Sequence, residues 1–325
     1  ELELMAMDYG MEVVPEIDSP AHSLPFTKYM RELGTPIHNT KYWFDHIDIE
    51  NEDGKNLIKG LLDEFIDGTD ENEPVFLGNT VHLGIDEYDT SVGDKFRQYT
   101  SEMSNYVLEK GKTPRVWGSL KQFSGTTMLP EGTVIDVWSM AWEDVNARIK
   151  EGYEIVNVPQ PFTCITPSRW HKDFMNTQNV YNNWEPNDFN GVKLPLGEPQ
   201  LLGGKMAIWG DESMEGIVEA DLHERLLPAV ATVGEKTWSG TREDKDYLEF
   251  MKTFNALEEG PNTTIQNEIV SENELVVKYN FEDETASDSS LNKYDASIVN
   301  GEVVQVENNK VLTLKGNTTL ETPLQ

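Results

Sequence analysis

Apolar positions in this chain fall into short runs, separated by polar stretches of helical period. Leu2, Met5 and Ala6 recur at helical spacing and Gly10 reads as the C-cap that follows, so the chain is expected to begin inside a domain, on the last turns of an amphipathic helix. Residues 11–15 (Met-Glu-Val-Val-Pro) predict a first strand and residues 75–83 a second. Residues 94–109 carry Phe96, Tyr99, Met103, Tyr106 and Val107 at helical spacing, and Gly111 closes that helix. Strands three to six are predicted at residues 114–117, 134–138, 153–158 and 205–209, with helices over 144–150 and 219–237.

Alternation of short apolar strands with helices predicts a parallel sheet covered by helices. Each predicted strand runs into a loop holding Trp, Asp, Glu, His, Gly or Asn, so polar chemistry gathers at one end of the sheet. That is the plan of a (β/α)8 TIM barrel. Six strands can be read where eight are needed, so residues 1–258 are expected to be a barrel lacking its first two βα units. Residues 259–273 are polar and predict a linker. Residues 275–281, 296–299, 303–306 and 311–314 alternate like strands with no helix signal, so residues 274–325 predict the start of an all-β sandwich module.

Composition narrows the chemistry. The 325 residues carry a formal net charge of −32. Phosphate backbones need Lys and Arg, so nucleic acid is excluded as a partner, as is an anionic membrane surface. Neutral or cationic ligands are favoured. There is no apolar run near 18 residues, and no membrane insertion is expected. Cys164 is the only cysteine, which rules out an internal disulfide and a Cys-rich zinc site. The six histidines are scattered without His-x-x-x-His spacing, so neither a metal nor a cofactor is expected. A Gly-x-Ser-x-Gly elbow is also missing.

The most informative stretch is His82-Leu83-Gly84-Ile85-Asp86-Glu87. Neighbours on a strand face opposite ways. If the chain leaves the strand at Asp86, both acids can turn into one cleft. Adjacent acids cannot flank a sugar ring from opposite faces, so they suit a glycosidase whose nucleophile belongs to the substrate. The alternative is Asp86 as a helix N-cap with Glu87 in the first turn. Trp117, Trp138 and Trp209 close predicted strands at the same end, as cleft walls or as core. Asp211 and Glu212 follow Trp209, either as acceptors for sugar hydroxyls or as exposed acids. His22, in a proline-stiffened loop, could tune a neighbouring carboxylate or be structural.

Four ordered segments together resemble glycoside hydrolase family 20, the β-N-acetylhexosaminidases. They are Val14-Pro15-Glu16-Ile17-Asp18-Ser19-Pro20-Ala21-His22, His82 through Glu87, the Gly203-Gly204 to Gly210-Asp211 block, and Gly234-Glu235-Lys236-Thr237-Trp238-Ser239. The resemblance implies that Asp86 orients the substrate's 2-acetamido group, whose oxygen attacks the anomeric carbon to give an oxazolinium ion. It implies that Glu87 protonates the leaving oxygen and then activates water. By the same likeness His22 supports the pair, Trp117, Trp138 and Trp209 line the sugar pocket, and Asp211 binds outer hydroxyls. Asp18, Tyr181, Asp188 and Glu212 are further candidates. Two departures stand out: no first strand supplies the family's substrate-holding Arg, and residues 159–164 hold no acetamide-binding Tyr, a place for which Tyr181 in a nearby loop is a disfavoured candidate. Residues 275–281, 288–292 and 312–316 resemble the opening of a laminin-G-like, concanavalin-type module.

The activity so implied is a retaining exo-β-N-acetylhexosaminidase acting on terminal GlcNAc or GalNAc of glycans, with a bell-shaped pH profile on the acid side of neutrality. A lacto-N-biosidase and a non-catalytic carbohydrate-binding protein on the same fold are the alternatives. Export to the surface of a bacterial cell is expected.

Overall fold

The computed structural model describes residues 1–39, 44–169, 172–211, 217–257, 271 and 275–324. The chain divides into two compact units, Glu1–Ala256 and Leu257–Gln325.

In the first unit the strands are β1 (Glu16–Ser19), β2 (Thr80–Gly84), β3 (Thr113–Trp117), β4 (Val134–Val137), β5 (Glu154–Asn157), β6 (Cys164–Ile165), β7 (Leu201–Gly204) and β8 (Ala207–Ile208). One parallel sheet runs β1-β2-β3-β4-β5-β7, and β6 pairs with β8, also in parallel. Six parallel strands in chain order form a (β/α)8 barrel short of two strands, as the alternation predicted. The helices are α1 (Leu2–Asp8), α2 (Leu24–Glu32), α3 (Glu52–Asp67), α4 (Asp94–Glu109), α5 (Val145–Glu151), α6 (Gln160–Thr163), α7 (Thr177–Asn183), α8 (Glu219–Ser239) and α9 (Tyr247–Ala256). No helix among the described residues is long and apolar enough to cross a membrane.

Strand period two sorts the residues. Val81, Leu83, Val116, Ile135, Val137 and Ile155 share one buried cluster with Ile58 and Leu62 of α3 and Phe96, Met103 and Val107 of α4. The alternate positions face the other way. They include His82, Trp117 and Asp136, and a second apolar cluster built on Trp117, Val134, Val156 and Val158. The apolar faces weld sheet to helices, which leaves the barrel interior free to carry polar and aromatic groups.

Three strand boundaries move from their predicted places. The first strand is Glu16–Ser19, not residues 11–15, because the Glu12 carboxylate accepts from Asn79 N and Thr80 N (2.6 and 2.8 Å) where a strand partner would. The second begins only at Thr80. Val75 N and Phe76 N both donate to Phe65 O, and the Phe76 ring packs on Phe65, so the apolar run 75–77 serves the end of α3. The sixth is divided: Leu201–Gly204 joins the sheet and Ala207–Ile208 pairs with β6. Two glycines hid β7 from a pattern of apolar residues.

The second unit holds β9 (Ser297–Val299), β10 (Glu302–Val306), β11 (Asn309–Thr313) and β12 (Thr319–Glu321), paired antiparallel as β10·β11 and β12·β9. Residues 275–281 are not a strand. Their backbone is taken by side chains: Lys278 N donates to Asp288 Oδ1 (2.9 Å), and Val276 O accepts from Ser290 Oγ (3.1 Å) and Asn292 Nδ2 (2.8 Å). Of the expected linker 259–273, only Ser271 lies within the described residues.

Candidate active site

At the C-terminal ends of the barrel strands lies a cleft of about 590 Å3. It brings together Asp18, His22, Asp86, Glu87, Trp117, Trp138, Trp209 and Asp211, and its lining is completed by Glu16, Thr166, Arg169 and Lys172.

The acid pair owes its direction to the backbone. Gly84, Ile85 and Glu87 have φ of 74°, 70° and 44°. Successive left-handed residues break the strand's alternation, so Ile85 is buried while both acids reach the cleft. Ile85 N is held by Ser19 O (3.0 Å). Asp86 caps no helix. The next helical turn, Thr90–Val92, is capped by Asp89, whose carboxylate accepts from Ser91 N (3.0 Å). His22, itself at φ 52°, places Nε2 3.3 Å from Glu87 Oε2 and 3.8 Å from Asp86 Oδ2. Beneath them His46 Nε2 lies 3.4 Å from the Glu87 carbonyl oxygen and its ring stacks on Tyr88.

The cluster is built to hold protons. Burial pushes the Asp86 carboxyl up to about 7, helped by Glu87 and Glu16 and opposed by His22. Burial, then Asp86 and Glu16, drive Asp18 well above the usual carboxylate range. The hydrogen bond to Glu87, and then the Asp86 and Asp18 charges, raise His22 to about 9 against its burial. Asp18, His22 and Asp86 each offer one ligand atom within 4.8 Å of the others, a spacing that could also hold a cation. The raised carboxyl groups favour proton sharing over paired anions, which is the state acid–base chemistry uses.

The aromatic wall is fixed from below. Trp117 Nε1 donates to Glu16 Oε1 (2.8 Å), the Lys205 ammonium lies 4.2 Å over the Trp117 ring, and Trp209 meets it edge-on at 5.5 Å. Lys205 Nζ and Arg115 Nε both donate to the fully buried Asp136 carboxylate (2.9 and 2.6 Å). Burial raises Glu16, but its hydrogen bonds to His82 and Trp117 outweigh this and lower it. His82 Nδ1 lies 3.3 Å from Glu16 Oε1 and 3.0 Å from Gly84 N, and its Nε2 lies 3.8 Å from Asp136 Oδ2.

Residues 2–241 match the catalytic domain of glycosyl hydrolase family 20. The chain belongs to that family. It is 25% identical over 261 residues to a lacto-N-biosidase of Bifidobacterium bifidum, covering 73% of this chain and 23% of that protein. It is 26% identical over 256 residues to the β subunit of Sus scrofa β-hexosaminidase, covering 71% and 44%. The chain thus spans less than half the length of these curated relatives. In fold it is similar to the crystal structure of Dispersin B, with a TM-score of 0.59 at 19% identity over 73% of this chain and 76% of that one.

Two candidates of this family 20 domain, Tyr181 and Asp188, lie elsewhere. Tyr181 does not replace the acetamide-binding tyrosine. It is buried in α7, stacks on Phe250 of α9, and its hydroxyl donates to Lys245 O (3.0 Å). Asp188 is not among the cleft residues. Its carboxylate accepts from Asn190 N (3.0 Å) and its carbonyl from Asn157 Nδ2 (2.8 Å), so it shapes a turn. Glu212 lies outside the described residues.

Sequence reasoning missed Glu16, Thr166, Arg169 and Lys172. Glu16 had a signal, since it stands two residues before Asp18 on one strand and so shares its face. The other three sit in a loop whose path depends on distant partners, and no local pattern announces them.

Proposed function

We propose that this chain is the catalytic part of a retaining exo-β-N-acetylhexosaminidase that removes terminal GlcNAc or GalNAc from glycans by substrate-assisted catalysis. The convergence of Asp86 and Glu87 on one cleft, with His22 within 3.3 Å of Glu87 Oε2, carries this reading. Two acids side by side leave the far face of the sugar without a protein nucleophile. The substrate's acetamide oxygen fills that role. Asp86 orients the acetamide and stabilises the positive charge of the oxazolinium ion. Glu87 gives its proton to the leaving oxygen and later takes one from water, with His22 as its proton partner. Trp117, Trp138 and Trp209 stack on the ring and exclude water, and Asp211 at the rim accepts from its hydroxyls. An oriented acetamide makes the attack intramolecular, which removes roughly 7–11 kcal/mol of barrier in well-aligned cases.

A nitrophenyl glycoside of GlcNAc tests this against the matching glucoside. The amide-dependent mechanism requires the glucoside to be slower by about three orders of magnitude or more. Equal rates would reject it. Glu87→Gln should lower kcat on the amide substrate by roughly 10²–10⁴-fold.

A second reading, release of a disaccharide as by a lacto-N-biosidase, draws on a smaller hollow of about 160 Å3 on the side of Trp138, lined also by Ser139, Asn157 and Asn190. Nitrophenyl lacto-N-bioside cleaved faster than nitrophenyl-GlcNAc would favour it. We place the protein outside the cell or on its surface. The antiparallel pairs of the second unit are compatible with a laminin-G-like module.

A further inference from the structure

The cleft has one wall of opposite charge to the chain. Acids outnumber bases 58 to 26, yet Arg169 and Lys172, three positions apart, both line the cleft that holds Asp18, Asp86 and Glu87. They sit after β6, and the described residues around them are tied by hydrogen bonds. Thr166 N donates to Lys172 O (2.7 Å), Arg169 N to Thr166 O (3.0 Å) and Ser168 N to Asp173 Oδ1 (2.8 Å). Asp173 is held in turn by Arg225 of α8, whose Nε and second guanidinium nitrogen donate to its two oxygens (2.8 and 3.0 Å).

Lys172 is half-buried, and among the described residues its ammonium makes no hydrogen bond or ion pair. Three other lysines of this unit with limited exposure are engaged: Lys205 with Asp136, Lys236 with Glu185, Lys110 with Asp63 and Asp67. A partly desolvated ammonium without a partner, held at an active cleft in a chain this acidic, is satisfied best by a charge that arrives with the ligand.

We propose that this wall selects N-acetylhexosamines bearing an anionic substituent, a sulfate ester or a carboxylate, which Lys172 binds with Arg169 alongside. This rests on the glycosidase reading above and narrows its substrate class. The net charge of the chain repels acidic glycans at long range, so a local cation is what would admit them. The charge lies on the sugar and not in the bond being broken, so no step of the chemistry changes.

The test uses the full chain and nitrophenyl glycosides of GlcNAc, of its 3-O-, 4-O- and 6-O-sulfo esters, and of the corresponding 6-carboxylate. At least one anionic glycoside should exceed the neutral one in kcat/KM by about tenfold or more. The sulfo and carboxylate arms separate the two anion sources. Lys172→Met should bring that ratio close to one, and Lys172→Arg should keep it within about threefold, which excludes misfolding as the cause. A wild-type ratio near one, or a ratio that Lys172→Met leaves unchanged, overturns the proposal. Should neither class be hydrolysed, the glycosidase reading fails by itself. Calorimetric affinities of the free neutral and anionic sugars then decide the wall: a preference lost in Lys172→Met supports it, and no preference sinks it.

Discussion

The Asp18 carboxylate occupies the space that a side chain on Gly84 would need. A Cβ built on Gly84 overlaps the Asp18 carboxyl group, and the backbone there has φ 74°. Close approach of β1 and β2 at this point puts Asp18 behind Asp86 and lets the chain turn both acids into the cleft. The glycine of the signature is thus a steric requirement of the acid cluster.

Gly84→Ala should therefore disable the site while leaving the fold. Alanine at positive φ is strained, and it must push Asp18 away from Asp86. A displacement near 1 Å at such a group costs on the order of 10²-fold in rate. We expect kcat/KM on an aryl GlcNAc glycoside to fall by at least about that factor with far-ultraviolet circular dichroism unchanged. Activity within threefold of wild type would show that the contact is not needed.

Much of this architecture is legible in the sequence because strand period two is. His82 and Asp136 alternate with Val81, Leu83, Ile135 and Val137, and that pattern yields both the sheet and its polar interior. Helix α4 is bounded by Asp94 and Gly111 as its apolar spacing requires. Helix α3 was overlooked although its signals exist: Asn51 caps it by accepting from Gly54 N (3.1 Å), and Ile58, Leu62 and Ile66 form its buried face. Taken alone, the sequence of Asp86 and Glu87 favours a helix N-cap over a turn into the cleft. Only the left-handed conformations of Ile85 and Glu87, neither a glycine, decide it, and residue identity does not encode them. Lys172 was not legible because the ion pair that shapes its loop, Asp173 with Arg225, spans 52 positions.

Asp136 should be the main strut of the cleft floor. It is fully buried between Arg115 and Lys205, and Lys205 continues onto the face of Trp117. Removing one partner of a buried ion pair leaves charge uncompensated, at a cost of about 3–5 kcal/mol. Asp136→Ala should lower Tm by roughly 10 °C in calorimetry, on a scale of about 2–4 °C per kcal/mol for a unit of this size. A shift under 3 °C would mean that Arg115 and Lys205 find other partners. Because Lys205 would come loose, the variant should also raise KM for the aryl glycoside by weakening the Trp117 wall.

The pH profile should sit higher than two ordinary carboxyl groups would put it. Catalysis needs Asp86 ionised, and its carboxyl is raised by burial to about 7, so kcat/KM should fall as pH drops through that value. His22, 3.3 Å from Glu87 Oε2, holds its proton until about 9, so the alkaline limb belongs to His22. The optimum moves from the acid side expected from sequence to near pH 8. The cation on His22 opposes the rise of Asp86, so His22→Gln should push the acid limb to higher pH as well as remove the group titrating near 9. Stability carries the same sign. Both groups bind protons more tightly in the folded chain than at their ordinary values of 3.8 and 6.5, so their contribution is present at low pH. It is lost as pH rises through about 7 for Asp86 and about 9 for His22. Asp86→Asn should then be inactive yet more heat-stable than wild type at pH 8, with the difference closing toward pH 4. Rates measured from pH 4 to 10 beside melting curves of the two proteins check both halves, and an acid limb near pH 5 would mean that Asp86 is not held out of water as the cleft geometry requires.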